Sequence, residues 1–227
     1  LRRRGNHTEN KQNSPKQAYY WEKVTEMAPF APRDGAGALV FRNRMWLLGG
    51  WNPDDKVHFP KICNNEVWSS ENGLDWKLVN KQAPWEGRHT AGYAIFRDKM
   101  WIVGGDANQK HYQNDTWNSS DGIQWDKVSA DAPWAPRVLA YVVAFKDKLW
   151  LMGGQTLPQF APGEEKFYSD VWNSEDGVTW KRVAENLPWG VRGMIGGSAV
   201  FNGRIWILGG GTYNSPNRPY RDFHNDV

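Results

Sequence analysis

An arginine followed at a fixed distance by a glycine pair occurs four times in this chain, and that recurrence limits the fold more than any other feature of it. The arginines are Arg33, Arg88, Arg137 and Arg192, set at nearly even intervals. The pairs begin at Gly49, Gly104, Gly153 and Gly209, at one distance from the arginine in the first three copies and a single position further in the fourth. Paired tryptophans at one constant spacing follow the first three copies: Trp68/Trp76, Trp117/Trp125 and Trp172/Trp180. The next arginine then comes at an unchanging distance, Arg88 after Trp76, Arg137 after Trp125 and Arg192 after Trp180. Only the segment from the second glycine to the next tryptophan varies: Gly50 to Trp68 and Gly154 to Trp172 are equally long, and Gly105 to Trp117 is shorter. Self-similarity at a period of roughly fifty marks units that bury their apolar faces against one another.

Each unit contains four short apolar runs. The first, strand a, is Ala36–Phe41 and its copies, and strand b is Met45–Leu48 (M-W-L-L), repeated as M-W-I-V, L-W-L-M and I-W-I-L. Strand c ends in E-V-W, D-T-W or D-V-W, and strand d reads D-W-K-L-V, Q-W-D-K-V or T-W-K-R-V. Val, Ile, Trp and Phe suit a pleated, half-buried surface, and runs of this length bounded by Gly, Asn and Asp read as strands. No apolar stripe of helical period competes with them. Four strands per unit at this period predict the blades of an all-β propeller.

Arg33, Gly49-Gly50, Trp68 and Trp76, with their copies, resemble the kelch repeat of the galactose-oxidase-type propellers. The resemblance covers residues 21–227. Tryptophan stands where that repeat commonly has tyrosine in strands b and c. The c–d turns S-S-E-N-G, S-S-D-G and S-E-D-G look like a shortened Asp-box turn of sialidase propellers, though Asp-Gly is also what a tight hairpin prefers. On this reading residues 1–18 are a basic tail or linker and 19–227 a partial propeller. Trp21–Val24 is its lone outer strand, 33–80, 88–130 and 137–185 are blades, and 192–227 is an incomplete one. The expected parent is a ring of six or seven blades, with a four-bladed ring closed by Trp21–Val24 as the alternative.

Charge and cysteine content narrow the partners. The net charge of +3 resides in the tail, where Arg2, Arg3, Arg4, Lys11 and Lys16 face only Glu9, and the rest of the chain is close to neutral. A neutral body argues against nucleic acid as the main partner. No apolar run approaches transmembrane length. Cys63 is the single cysteine, so no intrachain disulfide forms and the compartment is not reported. Of fifteen tryptophans the repeat accounts for all but Trp51, and their simplest role is packing between blades.

In an antiparallel meander the a–b and c–d turns share one face and the b–c and d–a loops the other. The second face carries the length variation, and binding residues concentrate on loops held by a rigid scaffold. Three groups are expected there. The arginines Arg33, Arg88, Arg137 and Arg192 open the innermost strands, and a guanidinium fork suits a carboxylate. The competing reading pairs each arginine with a neighbouring blade's acid or a loop carbonyl. The residues after Gly-Gly differ in every copy: Trp51-Asn52, Asp106-Ala-Asn108, Gln155-Thr156 and Gly211-Thr212. His89 stands where the other copies have Asp34, Val138 and Gly193.

These residues predict a non-catalytic scaffold that binds a protein or glycan on the loop face, with Arg33, Arg88, Arg137, Arg192, Trp51, His89, Asp106 and Gln155 as ligand-binding residues. No cofactor is expected. The histidines (His7, His58, His89, His111 and His224) form no pair of metal-ligand spacing, so no metal is expected either. The resemblance also implies alternatives. Copper oxidases of this type need a tyrosine–cysteine pair with two histidines, and Cys63 lacks such histidines. A sialidase needs a tyrosine nucleophile, whereas Tyr93 and Tyr141 fall inside strands a. A sialic-acid epimerase-like isomerase, using the arginine ring with His89, Asp34 and Asp106, is the enzymatic alternative.

Overall fold

The computed structural model describes residues 20–185, 187–192 and 196–227. Among them every regular element is a β-strand. The first sheet runs in chain order through β1 (Gly37–Phe41), β2 (Arg44–Leu48), β3 (Val67–Ser70) and β4 (Trp76–Asn80), all antiparallel. The second contains β5 (Arg88–His89), β6 (Gly92–Phe96), β7 (Lys99–Ala107), β8 (His111–Ser119) and β9 (Asp126–Ser129), with β5 and β6 both paired to β7. The third opens with β10 (Tyr141–Phe145) and β11 (Lys148–Met152). A small ladder of β12 (Gln155–Thr156) and β13 (Lys166–Phe167) leaves it before β14 (Val171–Ser174) and β15 (Trp180–Ala184) complete it. β16 (Gly197–Phe201) and β17 (Arg204–Leu208) form a two-stranded sheet, followed by the short ladder β18 (Gly211–Thr212) and β19 (Asp222–Phe223). Strands a to d of the sequence reading thus correspond to β1–β4, to β6–β9 and to β10, β11, β14 and β15, and strands a and b of the fourth copy to β16 and β17. No helix of the described residues is long and apolar enough to cross a membrane.

The turns explain why the strands pair as they do. The a–b connections of the first three sheets are two-residue turns whose central residues both have positive φ, as at Arg42 and Asn43 (48° and 58°) or Lys146 and Asp147 (48° and 55°). That is the turn whose twist matches the strands it joins. In the c–d turn, Ser119 Oγ accepts the Gly122 N–H at 2.8 Å, and Asp121 Oδ1 accepts the N–H groups of Ile123 and Gln124 at 2.8 Å. The Trp125 indole then donates to the Gly122 carbonyl at 3.0 Å. The same bonds recur around Asn72 and Asp176. All three c–d ladders shift register beside the strand-c tryptophan, at Val67/Trp68, Thr116/Trp117 and Val171/Trp172.

Neighbouring sheets share their cores, as the abundance of tryptophan predicts. Phe41, Trp46 and Leu48 of the first sheet pack with Met100, Ile102, Trp117 and Trp125 of the second. Ala94, Phe96 and Trp101 of the second pack with Leu149, Leu151 and Trp180 of the third. The strand-b tryptophan lies against the c–d turn of the following sheet: a Cβ on Gly122 would fall 2.3 Å from Trp46, and one on Gly177 would fall 2.2 Å from Trp101. Loop aromatics close onto the strand-d tryptophan of the sheet they lead into, Trp85 on Trp125 and Trp134 on Trp180, edge to face with centroids 5.8 Å apart.

One expected strand is not formed. Trp21–Val24 makes no sheet pairing among the described residues, and Trp21 is 97% exposed. The reason is topological. An outer strand needs a strand c to pair with: β3, β8 and β14 already carry β4, β9 and β15, and β16–β17 has no strand c among the described residues. The basic tail expected at 1–18 lies outside the described residues.

Candidate functional site

Each of the four arginines donates to the carbonyl of the first glycine of its Gly-Gly pair and to an acid of its own repeat. Arg88 Nε donates to the Glu86 carbonyl and Nη1 to the Gly104 carbonyl, both at 3.0 Å, while Nη1 and Nη2 grip Asp115 at 2.6 and 3.1 Å. Arg137 repeats this with the Gly153 carbonyl and Asp170, and Arg33 with the Gly49 carbonyl and Glu66. Arg192 holds Asp226 with Nη2 at 2.6 Å. The strand-c tryptophan joins in: Trp117 Nε1 donates to Asp115 at 2.7 Å, and Trp68 and Trp172 do likewise to Glu66 and Asp170. These guanidiniums are buried within their own sheets. The competing sequence reading therefore describes their contacts, with the acid in the same repeat rather than a neighbouring one. Its sequence signal is the Glu or Asp just before each strand-c tryptophan, at Glu66, Asp115 and Asp170, and Asp226 at the same place in the fourth copy.

The arginines fasten the glycine turns, and the glycine turns aim the residues that follow. In the first three repeats the residue after the arginine pairs with the residue after Gly-Gly: Asp34 with Trp51, His89 with Asp106, Val138 with Gln155. One residue further on, the loops link from sheet to sheet. Thr90 N–H donates to the Gly35 carbonyl at 2.9 Å and Leu139 N–H to the Thr90 carbonyl at 3.1 Å. Gly35, Thr90 and Leu139 all have positive φ (60°, 52° and 57°). For a β-branched threonine that conformation is strained, and strain of this kind gathers at functional sites.

Where these loops meet there is a cleft of 140 Å3. Asp34 and Trp51 line it from the first repeat, His89, Thr90, Asp106 and Gln109 from the second, Val138, Leu139 and Phe160 from the third, and Tyr213 from the fourth. Of the eight expected site residues it gathers Trp51, His89 and Asp106. None of the four arginines lines it. Gln155 does not line it either; its amide is buried, with neither Oε1 nor Nε2 partnered among the described residues. Phe160 and Tyr213 were missed by sequence reasoning. Both are loop aromatics after Gly-Gly without counterparts in the other copies, the same signal that singled out Trp51.

One of the residues lining the cleft is the His89 imidazole, which lies near the Asp106 carboxyl and the Trp51 indole of the same cleft and near the Cys63 thiol outside its lining. The rings of Trp51 and His89 stack with centroids 5.8 Å apart. His89 Nδ1 lies 3.8 Å from Cys63 Sγ and 3.8 Å from Asp106 Oδ2, the latter too long for a hydrogen bond. Asp106 is 1% exposed, and its Oδ1 has no partner among the described residues. Burial pushes its carboxyl up to about 7, against a backbone hydrogen bond from Gln109 that favours the charged form. Burial lowers His89 below its usual value, and raises Cys63 to about 12, so the thiol stays protonated at neutral pH. A neutral imidazole beside a carboxyl that titrates near neutrality can hold, accept or pass a proton. The described residues contain no group of three or more His, Cys, Asp or Glu arranged to hold a metal.

Comparison with known proteins bears on the fold. The solved structure of YjhT matches with a TM-score of 0.63 and 18% sequence identity, covering 82% of this chain and 64% of that chain. The described residues are thus all-β, with antiparallel sheets that include two of four strands, and their fold is similar to that of YjhT, of whose length the chain spans just under two thirds. No protein-family model matches the sequence, and no curated protein matches it.

Proposed function

We propose that the sheets are blades of a kelch-type β-propeller, 33–80, 88–130, 137–185 and the partial 192–227, within a ring of six or seven, and that the protein is a binding scaffold. Its ligand, a glycan or a protein side chain, enters the cleft at the mouth of the b–c and d–a loop face. One observation carries this reading: successive repeats, alike in their fastenings, each send different residues into the same cleft. Trp51, His89 and Asp106 contact the ligand, joined by Phe160 and Tyr213. Arg33, Arg88, Arg137 and Arg192 act as positioning residues that fix the glycine turns. The test is a thermal-shift and calorimetric screen of the full chain against neutral sugars, amino sugars, carboxylated sugars and short peptides. A binder whose affinity falls at least tenfold in Trp51→Ala and Phe160→Ala, without loss of fold, supports the site. A binder indifferent to both substitutions removes it.

A second reading is favoured by the His89–Asp106 pair. A buried carboxyl with a raised pKa next to a neutral imidazole is an acid/base couple suited to isomerising a sugar. Among the described residues no free guanidinium lines the cleft, so they offer a carboxylated sugar no clamp of the kind expected of a sialic-acid isomerase. Loss of ring-opening exchange between sugar anomers in Asp106→Asn, with binding retained, would support catalysis.

A further inference from the structure

The cleft has a charge signature that says more than that it binds something. Its two acidic side chains are Asp34 and Asp106, and among the described residues no lysine or arginine lines it. His89 is held neutral by burial, so it adds no positive charge at neutral pH. The apolar walls are aromatic: Trp51, stacked on His89, and Phe160 with Tyr213, edge to face at 5.8 Å. Asp106, almost wholly buried, lines this space with its Oδ1 lacking a donor among the described residues. A buried carboxylate oxygen without a donor is costly, and a donor bearing positive charge relieves it best. Aromatic faces attract the same kind of group through their quadrupoles. An anionic ligand would meet two acidic side chains and, among the described residues, no cation to offset them.

We infer that the cleft recognises a protonated amine, seated against Asp106 and Asp34 and walled by Trp51, Phe160 and Tyr213. This rests on the cleft being the ligand site proposed above and names the ligand's chemical class. Its 140 Å3 is below the ~300–1,000 Å3 of sites that engulf whole drug-sized ligands, so it takes a head group: the amine of an amino sugar or of a lysine side chain. The raised Asp106 carboxyl fits, because a neighbouring cation favours its ionised form.

The test is calorimetric titration of the full chain with glucosamine, glucose, N-acetylglucosamine and Nα-acetyl-lysine amide. Glucosamine is expected to bind at least tenfold more tightly than its two uncharged relatives, or the lysine derivative to bind where the sugars do not; the first outcome identifies a glycan source and the second a protein source. Asp106→Asn should weaken the amine at least tenfold while the variant melts no lower than the parent. Trp51→Leu, which keeps the charges and removes the ring, should weaken it as well. Glucose or N-acetylglucosamine binding in the cleft as tightly as the amines would overturn the amine inference and leave the site standing. Absence of binding by every compound, including neutral sugars, would overturn both.

Discussion

Arg88 has all three side-chain nitrogens donating to internal acceptors and is buried, so removing it strands Asp115 and the Gly104 carbonyl. Breaking one side of a buried ion pair costs roughly 3–5 kcal/mol. In a chain of this size Arg88→Ala should lower the melting temperature by on the order of 10 °C. Scanning calorimetry checks this, and an unchanged melting temperature would show that the network is not structural. Asp106 is the opposite case. Its folded pKa, raised to about 7, lies above the ordinary carboxylate value, so the folded state holds a proton that the unfolded state gives up. Its contribution to stability is complete at acid pH and is lost as pH rises towards 7. Around it, burial holds Cys63 and Tyr112 near 12 and lowers His89, while Asp34 faces the same cleft. Asp106→Asn should therefore be more stable than the parent at pH 8 and differ least near pH 4, as urea titrations at the two pH values would reveal. At this scale the sequence displayed the repeated arginines but not where their forks point. Spacing places a Cα, while burial and partners decide a side chain's role. The acids at Glu66, Asp115 and Asp170 were the missing half of the motif.

The c–d turn is the element that lets one sheet lie on the next. Gly177 has φ +76° and receives the Trp101 ring, whereas Gly203 has φ +67° and nothing within 4 Å of where a Cβ would stand. Both substitutions to alanine incur the cost of a left-handed conformation. Only Gly177→Ala adds a clash, so it should destabilise by about 1–3 kcal/mol more than Gly203→Ala in denaturant titration. Equal effects would mean that the ring moves aside freely. Strands and turns were legible because period-two patterning and turn residues act locally. The strand expected at Trp21–Val24 failed because pairing depends on a free edge, which no local signal reports. The shortened segment of the second repeat, from Gly105 to Trp117, marked the place where β7 and β8 run on into a long hairpin. That hairpin carries Asp106.

Across the whole molecule, each sheet buries its face against its neighbours, so stability accumulates from junction to junction. The two-stranded sheet β16–β17 is the weakest member: it lacks outer strands among the described residues, and much of it is exposed. Amide hydrogen exchange should be faster in β16–β17 than in β6 and β7, where neighbouring strands and two cores protect the amides. Uniform protection would contradict an additive, junction-by-junction molecule. The order of the sheets was legible from the repeat, but the cleft only in part. Trp51, His89 and Asp106 differ from their counterparts and were visible for that reason. Phe160 and Tyr213 sit in loops whose course no pattern fixes, so their arrival at the same point is a property of the folded whole. The edge-to-face indoles offer an optical consequence. Trp85 with Trp125 and Trp134 with Trp180 are close enough for their ultraviolet transitions to couple, and each pair should give a two-signed band in circular dichroism. In the first sheet Phe30 stands edge-on to Trp76 instead, so that sheet contributes no such indole couplet and the band reports on the other two.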